Sequence, residues 1–149
     1  MEKFIENAAL CGIFGLKVFQ SGKLIEEIEE KNLIVAAAWR QLAHLIAGDV
    51  TGRNITGIAF GTGGNAADLS DTVITNQWSK PVSGFFYTEP GKVTFNWTLG
   101  IHENNGMAIR EFGLLTEDGT LFARRTRANP LNKAIDISVE GYWTIIFNS

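Results

Sequence analysis

The chain has 149 residues and a mass of 16.4 kDa, which is the usual size of a single domain with its own hydrophobic core. Its net charge of −3 argues against a protein that acts on nucleic acid, because phosphate contacts require an excess of Lys and Arg. One cysteine excludes an internal disulfide, and no apolar run is long enough to span a membrane as a helix.

The first thirty residues predict an arm followed by a hairpin. Ile13–Gln20 has the composition of a strand, Ser21–Gly22 is a turn signal, and Lys23–Glu30 is predicted as the partner strand. The alternative for the acidic partner is a helix, because Glu and Lys favour helices. We assign residues 1–31 to an N-terminal assembly element and residues 32–149 to a β-rich core domain.

One amphipathic helix is predicted from about residue 33 to residue 47. Asn32 is a suitable N-cap, and apolar residues that include Trp39 follow at spacings of three and four. Gly48 suits the left-handed conformation that ends many helices. His44 lies within this segment and is interpreted as a surface or partly buried imidazole, not as a ligand.

A glycine-rich loop, Gly61–Gly64, follows the short predicted strand Ile55–Phe60. Such a loop can bind phosphate, but a P-loop needs Gly-Lys-Ser/Thr and a Rossmann turn needs a helix directly behind the glycines. Neither follows here. Asp68 and Asp71 lack the run of oxygen ligands that an EF-hand requires. We therefore predict no cofactor and no metal ion.

The rest of the chain predicts strands only. Asp118-Gly119 supplies the tight turn of a hairpin, and a change of apolar parity at Gly141 predicts a β-bulge. The predicted strands are Lys80–Tyr87, Val93–Leu99, Ile109–Leu115, Thr120–Thr126 and Ile135–Phe147. The expected fold is mainly β, an antiparallel β-sandwich or partly closed barrel with the helix packed on it.

His102 beside Glu103, in a polar loop, is the pair that most resembles catalytic residues, and it defines the hypothesis of a small hydrolase. Adjacent residues of an extended chain point apart, and no Ser or Cys nucleophile is evident beside them. We therefore predict no catalytic residue and a protein that is not an enzyme.

Aromatic, apolar and basic residues outside the predicted core define a candidate interaction surface. Arg124 and Arg125 face opposite ways on a strand, so they predict ion pairs with the Glu26–Glu30 segment of another subunit, not a phosphate-binding patch. Trp78 and the Gly- and Asn-rich loops support an alternative, a carbohydrate-binding module that recognises a host surface. The candidate residues are Phe14, Phe19, Leu24, Ile28, Trp78, Phe85, Phe86, Tyr87, Arg124, Arg125 and Arg127.

Two segments resemble bacteriophage and prophage tail proteins. Ile58–Thr72, IAFGTGGNAADLSDT, resembles their strand followed by GTG, small residues and DT. Ile109–Ala123, IREFGLLTEDGTLFA, is similar to the I-x-E-x-G-L hairpin, with its DG turn and LFA, of tail-collar and tail-fibre N-terminal modules. The resemblance covers roughly Asn32–Asn148.

This resemblance implies a non-enzymatic virion component that attaches fibres or forms part of a baseplate or tail tip. Its implied partners are further copies of itself, a trimer by analogy with tail fibres, and other tail proteins. We expect no nucleic-acid partner and no membrane insertion. The implied location is the virion tail, after synthesis in the cytoplasm of the bacterial host.

Overall fold

A computed structural model of the chain describes residues 10–147. This part contains nine antiparallel strands and one short helix, which confirms the predicted mainly β fold. The strands are β1 (Leu10–Gln20), β2 (Lys23–Ile34), β3 (Ile55–Gly61), β4 (Trp78–Pro81), β5 (Gly84–Phe86), β6 (Lys92–Leu99), β7 (Ala108–Thr116), β8 (Leu121–Asn132) and β9 (Ile137–Phe147), and the helix is α1 (Ala37–Ile46).

The strands follow the order β4-β3-β7-β8-β2-β1-β9-β6-β5 in one sheet, which curls into a partly closed barrel. β2 connects the two halves of the curled sheet, which are β4-β3-β7-β8 and β1-β9-β6-β5. Its residues up to Asn32 pair with β1, whereas Leu33 and Ile34 pair with Arg124 and Ala123 of β8. The predicted hairpin of β1 and β2 is therefore present, and the expected division at residue 31 falls inside a strand.

A two-residue corner between β4 and β5 connects the two ends of the sheet. β4 and β5 lie at opposite ends of the strand order, yet only Val82 and Ser83 separate them. The Val82 N–H donates to the Thr56 carbonyl of β3 (3.0 Å), and the Ser83 N–H donates to the Asn96 carbonyl of β6 (2.7 Å). The predicted single strand Lys80–Tyr87 is therefore wrong. Pro81 is still paired with Gly57 of β3, so the segment changes partners between Val82 and Ser83, whose N–H groups donate to different strands.

An aromatic cluster joins the two halves of the barrel. The Phe14 ring of β1 lies 4.9 Å from Phe112 of β7 and 4.9 Å from Trp143 of β9, and Phe60 of β3 lies 5.4 Å from Trp97 of β6, measured between ring centroids. All five side chains are at most 1% exposed. Phe14 therefore belongs to the core, and its prediction as a surface residue is wrong.

The helix begins later than the apolar spacing predicts. Residues 33 and 34 continue β2, and the Val35 N–H donates to the Phe122 carbonyl (3.1 Å). Asn32 does not cap the helix, because its side-chain oxygen accepts a hydrogen bond from the Trp143 indole N–H (2.8 Å). Trp39 is 50% exposed, which corrects its assignment to the core-facing side of the helix.

The bulge predicted at Gly141 is absent from β9. Gly141 pairs in continuous register with Leu16 of β1 and with Trp97 of β6. A Cβ atom at this position would lie 2.0 Å from the Trp97 ring. The core-facing positions continue in step through Gly141 to Trp143 and Ile145, so the apparent change of parity comes from Tyr142 and Ile146 on the other face. The Trp97 indole occupies the space that a side chain at Gly141 would fill.

Candidate functional site

The structure distributes the predicted interaction residues over several regions. Arg124 is 2% exposed and, like Phe14, cannot belong to a surface. Trp78 and Ile28 are half-buried and pack against the core, and Trp78 lies 5.9 Å from Phe60 between ring centroids. Phe19 is also half-buried, whereas the exposed members are Leu24, Phe85, Phe86 and Tyr87.

An apolar cleft of about 290 Å³ opens between α1 and β5. Phe85 and Tyr87 stand at its rim with exposed fractions of 60% and 75%, and their ring centroids are 5.8 Å apart. The other apolar side chains that define the cleft include Leu42 and Leu45 of α1, Phe95 of β6, Phe122 of β8, and Ile145 and Phe147 of β9. The rim therefore presents large aromatic surface to solvent beside an opening that reaches the core.

Glu111 of β7 is a fully buried carboxylate with three hydrogen-bond donors. One oxygen accepts from the Gly63 N–H and from the Thr75 N–H (3.2 Å). The other accepts from the Arg124 side chain (3.1 Å). The glycine-rich loop therefore binds the chain's own carboxylate, and a Cβ atom at Gly63 would lie 2.2 Å from it.

Arg124 of β8 completes a buried charge cluster of Asp71, Glu111 and Arg124. Its guanidinium donates to the Asp71 carboxylate (2.9 Å) and to the Asn65 side-chain oxygen (3.2 Å). The cluster fastens the loop after β3 to the β7–β8 hairpin. It also joins the segment Ile58–Thr72 to the hairpin segment Ile109–Ala123, because Asp71 and Gly63 come from one and Glu111 from the other.

Arg125 lies on the opposite face of β8 from Arg124, as predicted, and Arg127 lies on the same face as Arg125. Arg127 donates two hydrogen bonds of 3.0 Å each to Glu26, and Arg125 lies 2.7 Å from Glu30 and above the Phe14 ring. These glutamates belong to β2 of the same chain, which corrects the expected pairing with another subunit. The pairing is internal because β2 and β8 are neighbours in the sheet.

The loop that contains His102 is held by Glu103. The Glu103 carboxylate accepts hydrogen bonds from the Lys80 ammonium and from the Gly100 N–H, both at 2.8 Å. The Lys80 hydrogen bond, followed by the Gly100 N–H, lowers the pKa of Glu103 below its ordinary value. His102 is exposed. Glu103 therefore has a structural partner, and this geometry does not favour the hydrolase hypothesis.

A polar contact attaches α1 to the turn between β7 and β8. The buried Gln41 amide donates to the Thr116 hydroxyl (2.8 Å) and to the Asp118 carboxylate (2.9 Å). The Thr116 hydroxyl also donates to Asp118 (2.7 Å), and this bond is the first of several that hold the pKa of Asp118 well below its ordinary value. Gly119 provides the positive φ of 86° that the turn requires.

Replacing Asp118 with asparagine is expected to flatten the pH dependence of stability. Because folding lowers the pKa of Asp118, its contribution is present at neutral pH and is lost as the pH falls below about 4. The melting temperature of the wild type should therefore fall more steeply in acid than that of Asp118→Asn. Circular dichroism melts between neutral pH and about pH 2 measure both curves. Parallel curves would contradict the assignment.

Within residues 10–147, no group of three or more His, Cys, Asp and Glu side chains is placed to hold a metal ion. No helix in this range has the length and apolar character needed to cross a membrane. Comparison of the chain with known protein families, curated proteins and solved structures found no match. The geometry of the chain itself is therefore the basis of a functional proposal.

Proposed function

We propose that this chain is a non-enzymatic structural component of a phage tail or a phage-tail-like particle, which acts by self-association and protein contacts. The observation that carries the self-association is the aromatic rim of the apolar cleft, where Phe85 and Tyr87 are largely exposed, and the tail role rests on the resemblance of Ile58–Thr72 and Ile109–Ala123 to tail proteins. Contiguous apolar surface on a folded domain commonly marks a site of protein association.

The edge of the sheet beside this cleft supports the same proposal. β5 has only three residues and pairs with β6 on one side, at one end of the strand order. A free strand edge offers N–H and C=O groups to another chain. An aromatic rim next to such an edge suits a contact between copies, and the analogy with tail fibres makes a trimer the first expectation.

The buried charge cluster adds a second line of support. The residues by which the sequence resembles tail proteins, Gly63, Asp71 and Glu111, fix one loop to one hairpin. Their role is to hold a rigid shape, which suits a component that is repeated in an assembly.

Changing Tyr87 to aspartate is expected to dissociate the oligomer, because a buried carboxylate without a partner destabilises an apolar contact. Light scattering coupled to size-exclusion chromatography should give an oligomeric mass for the wild type and the mass of one chain for Tyr87→Asp. Ile135→Asp is the matched control, because Ile135 is 61% exposed and lies away from the cleft. It precedes the first residue of β9, whereas Phe147, which lines the cleft, is the last residue of that strand. It should leave the oligomer intact.

The same variants test incorporation into particles. The wild type and Ile135→Asp should co-sediment with intact tail particles and be labelled on the tail by a gold-conjugated antibody, whereas Tyr87→Asp should remain in the supernatant. A wild-type chain that is monomeric and joins no particle would contradict the proposal. A wild-type chain that forms an oligomer but joins no particle would support self-association and refute the proposed tail role.

A further inference from the structure

The strands β2, β1, β9, β6 and β5 have an outer face that points away from the core. On β9, Trp143 and Ile145 are buried in the core, so Tyr142 and Thr144 belong to the outer face. Two adjoining grooves, of about 610 and 350 Å³, lie on this face and share Glu29, Asn96 and Tyr142 in their linings. We call them together the outer trough. Each volume falls within the range of small-molecule sites, about 300–1,000 Å³.

A single row of residues crosses the middle of the outer trough. Glu29, Gly15, Tyr142 and Asn96 are directly paired, in that order, on β2, β1, β9 and β6. Directly paired residues of antiparallel strands lie on the same face. At the usual strand spacing the row is about 14 Å long. It therefore places a carboxylate, an aromatic ring and an amide in line.

Gly15 determines where the Tyr142 ring lies. A Cβ atom on Gly15 would be 2.1 Å from Cε1 and 2.2 Å from Cζ of that ring. The ring thus extends across β1 and occupies the space that a side chain at Gly15 would fill. Tyr142 nevertheless lines both grooves, so part of the ring surface is available from the outer trough.

The charges around the row exclude one class of ligand. The smaller groove contains one basic residue, Lys92, which is paired with Glu89. The larger groove is lined by the three acidic residues Glu27, Glu29 and Glu140, and by one basic residue, Lys17, which lies 3.8 Å from Glu27. An anion would be repelled there. Neutral hydroxyl groups and ammonium groups would find carboxylate acceptors and the Asn96 amide, which can both donate and accept.

We propose that the outer trough is a saccharide-binding site for neutral or amino-sugar chains. The apolar C–H face of one sugar ring stacks on Tyr142, while Glu29 and Asn96 form hydrogen bonds with hydroxyl groups on either side. This activity goes beyond the proposed assembly role. It uses the side of the sheet opposite to the apolar cleft, whose β6 and β9 residues Phe95 and Ile145 face the core.

Isothermal titration calorimetry with four trisaccharides tests the proposal. Maltotriose, N-acetylchitotriose and chitotriose represent the neutral and amino-sugar class, and trigalacturonate is the acidic comparison. At least one of the first three should bind with a Kd below about 1 mM, and trigalacturonate should bind at least about tenfold more weakly. The proposal is overturned if none of the first three binds, or if the acidic trimer binds equally well.

Variants place the binding on Tyr142. Tyr142→Ala should weaken binding at least about tenfold, and Tyr142→Phe should stay within about threefold, because the ring makes the stacking contact. Trp39→Ala is the matched control, because Trp39 is a 50% exposed aromatic side chain of α1 that lines neither the outer trough nor the apolar cleft. It should bind as the wild type does. Equal affinity of Tyr142→Ala and wild type would refute the site.

Gly15→Ala gives an independent test in case Tyr142→Ala unfolds. The three atoms nearest to the added methyl group all belong to the outer end of the Tyr142 side chain, which can swing away while the strand stays in register. Binding should weaken about as much as in Tyr142→Ala, with the melting temperature nearly unchanged. Full binding by a folded Gly15→Ala variant would count against the site. Both variants should keep the oligomeric mass, so this test and the assembly test fail separately.

Discussion

Replacing Arg124 with methionine is expected to lower the free energy of unfolding by about 3–5 kcal/mol. Arg124 is 2% exposed, and its guanidinium pairs with Glu111, which is fully buried, and with Asp71. Without it, the Glu111 charge stays in a fully buried site with two backbone N–H donors, those of Gly63 and Thr75. The loss therefore comes mainly from the charge that is left unpaired, not from the missing contact itself.

Urea unfolding followed by tryptophan fluorescence measures this change. Arg110→Met is the matched control, because Arg110 also lies on a strand of this hairpin but donates one exposed hydrogen bond, to the Ala128 carbonyl (3.1 Å). It should change the stability by less than about 1 kcal/mol. Adding Glu111→Gln to Arg124→Met should recover part of the loss, since the unpaired charge is removed. A loss below about 1 kcal/mol for Arg124→Met would contradict the role of the buried charge cluster.

Changing Gly141 to alanine is expected to lower the free energy of unfolding by about 2–3 kcal/mol. The new methyl group would meet the Trp97 ring at 2.0 Å, and that ring is 1% exposed. Trp97 cannot move freely, because Phe14, Phe60 and Phe112 surround it with centroid distances of 5.4 to 6.0 Å. The substitution therefore displaces the centre of the aromatic cluster.

Gly84→Ala is the control for this change, because Gly84 also lies in a strand but has no atom within 4 Å of the added Cβ. It should stay within about 0.5 kcal/mol of the wild type in the same urea experiment. In the Gly141→Ala background, Trp97→Phe should lower the stability by less than it does in the wild type, since the smaller ring leaves room for the methyl group. Additive losses would show that the two positions do not compete for space.

The strands were predictable because alternation of apolar residues is a local signal. Val93–Leu99 and Ile109–Leu115 lie in β6 and β7 close to their predicted bounds. The errors arose where a distant partner decides the structure. The sequence around Gly141 predicts a bulge because it does not show that Trp97 lies opposite to Gly141. Asn32 is predicted as a helix cap because the sequence does not show its hydrogen bond with the Trp143 indole.

The candidate site was only partly predictable for the same reason. Phe85 and Tyr87 are exposed aromatic residues, but the apolar cleft exists only because the curl of the sheet brings them to α1 and Phe147. The buried charge cluster was missed, although charged residues inside otherwise apolar strands were a visible signal. Arg124 is predicted as a surface residue because the sequence does not show that the loop after β3 covers it through Asn65 and Asp71.

The two-residue corner at Val82 and Ser83 has a consequence for how the domain unfolds. One short segment, Trp78–Phe86, secures both margins of the sheet, to β3 on one side and to β6 on the other. If this segment detaches, two margins are released in the same event, and the interior is exposed from both sides. We therefore expect detachment of this segment to trigger cooperative unfolding of the whole domain, instead of fraying of one strand at a time.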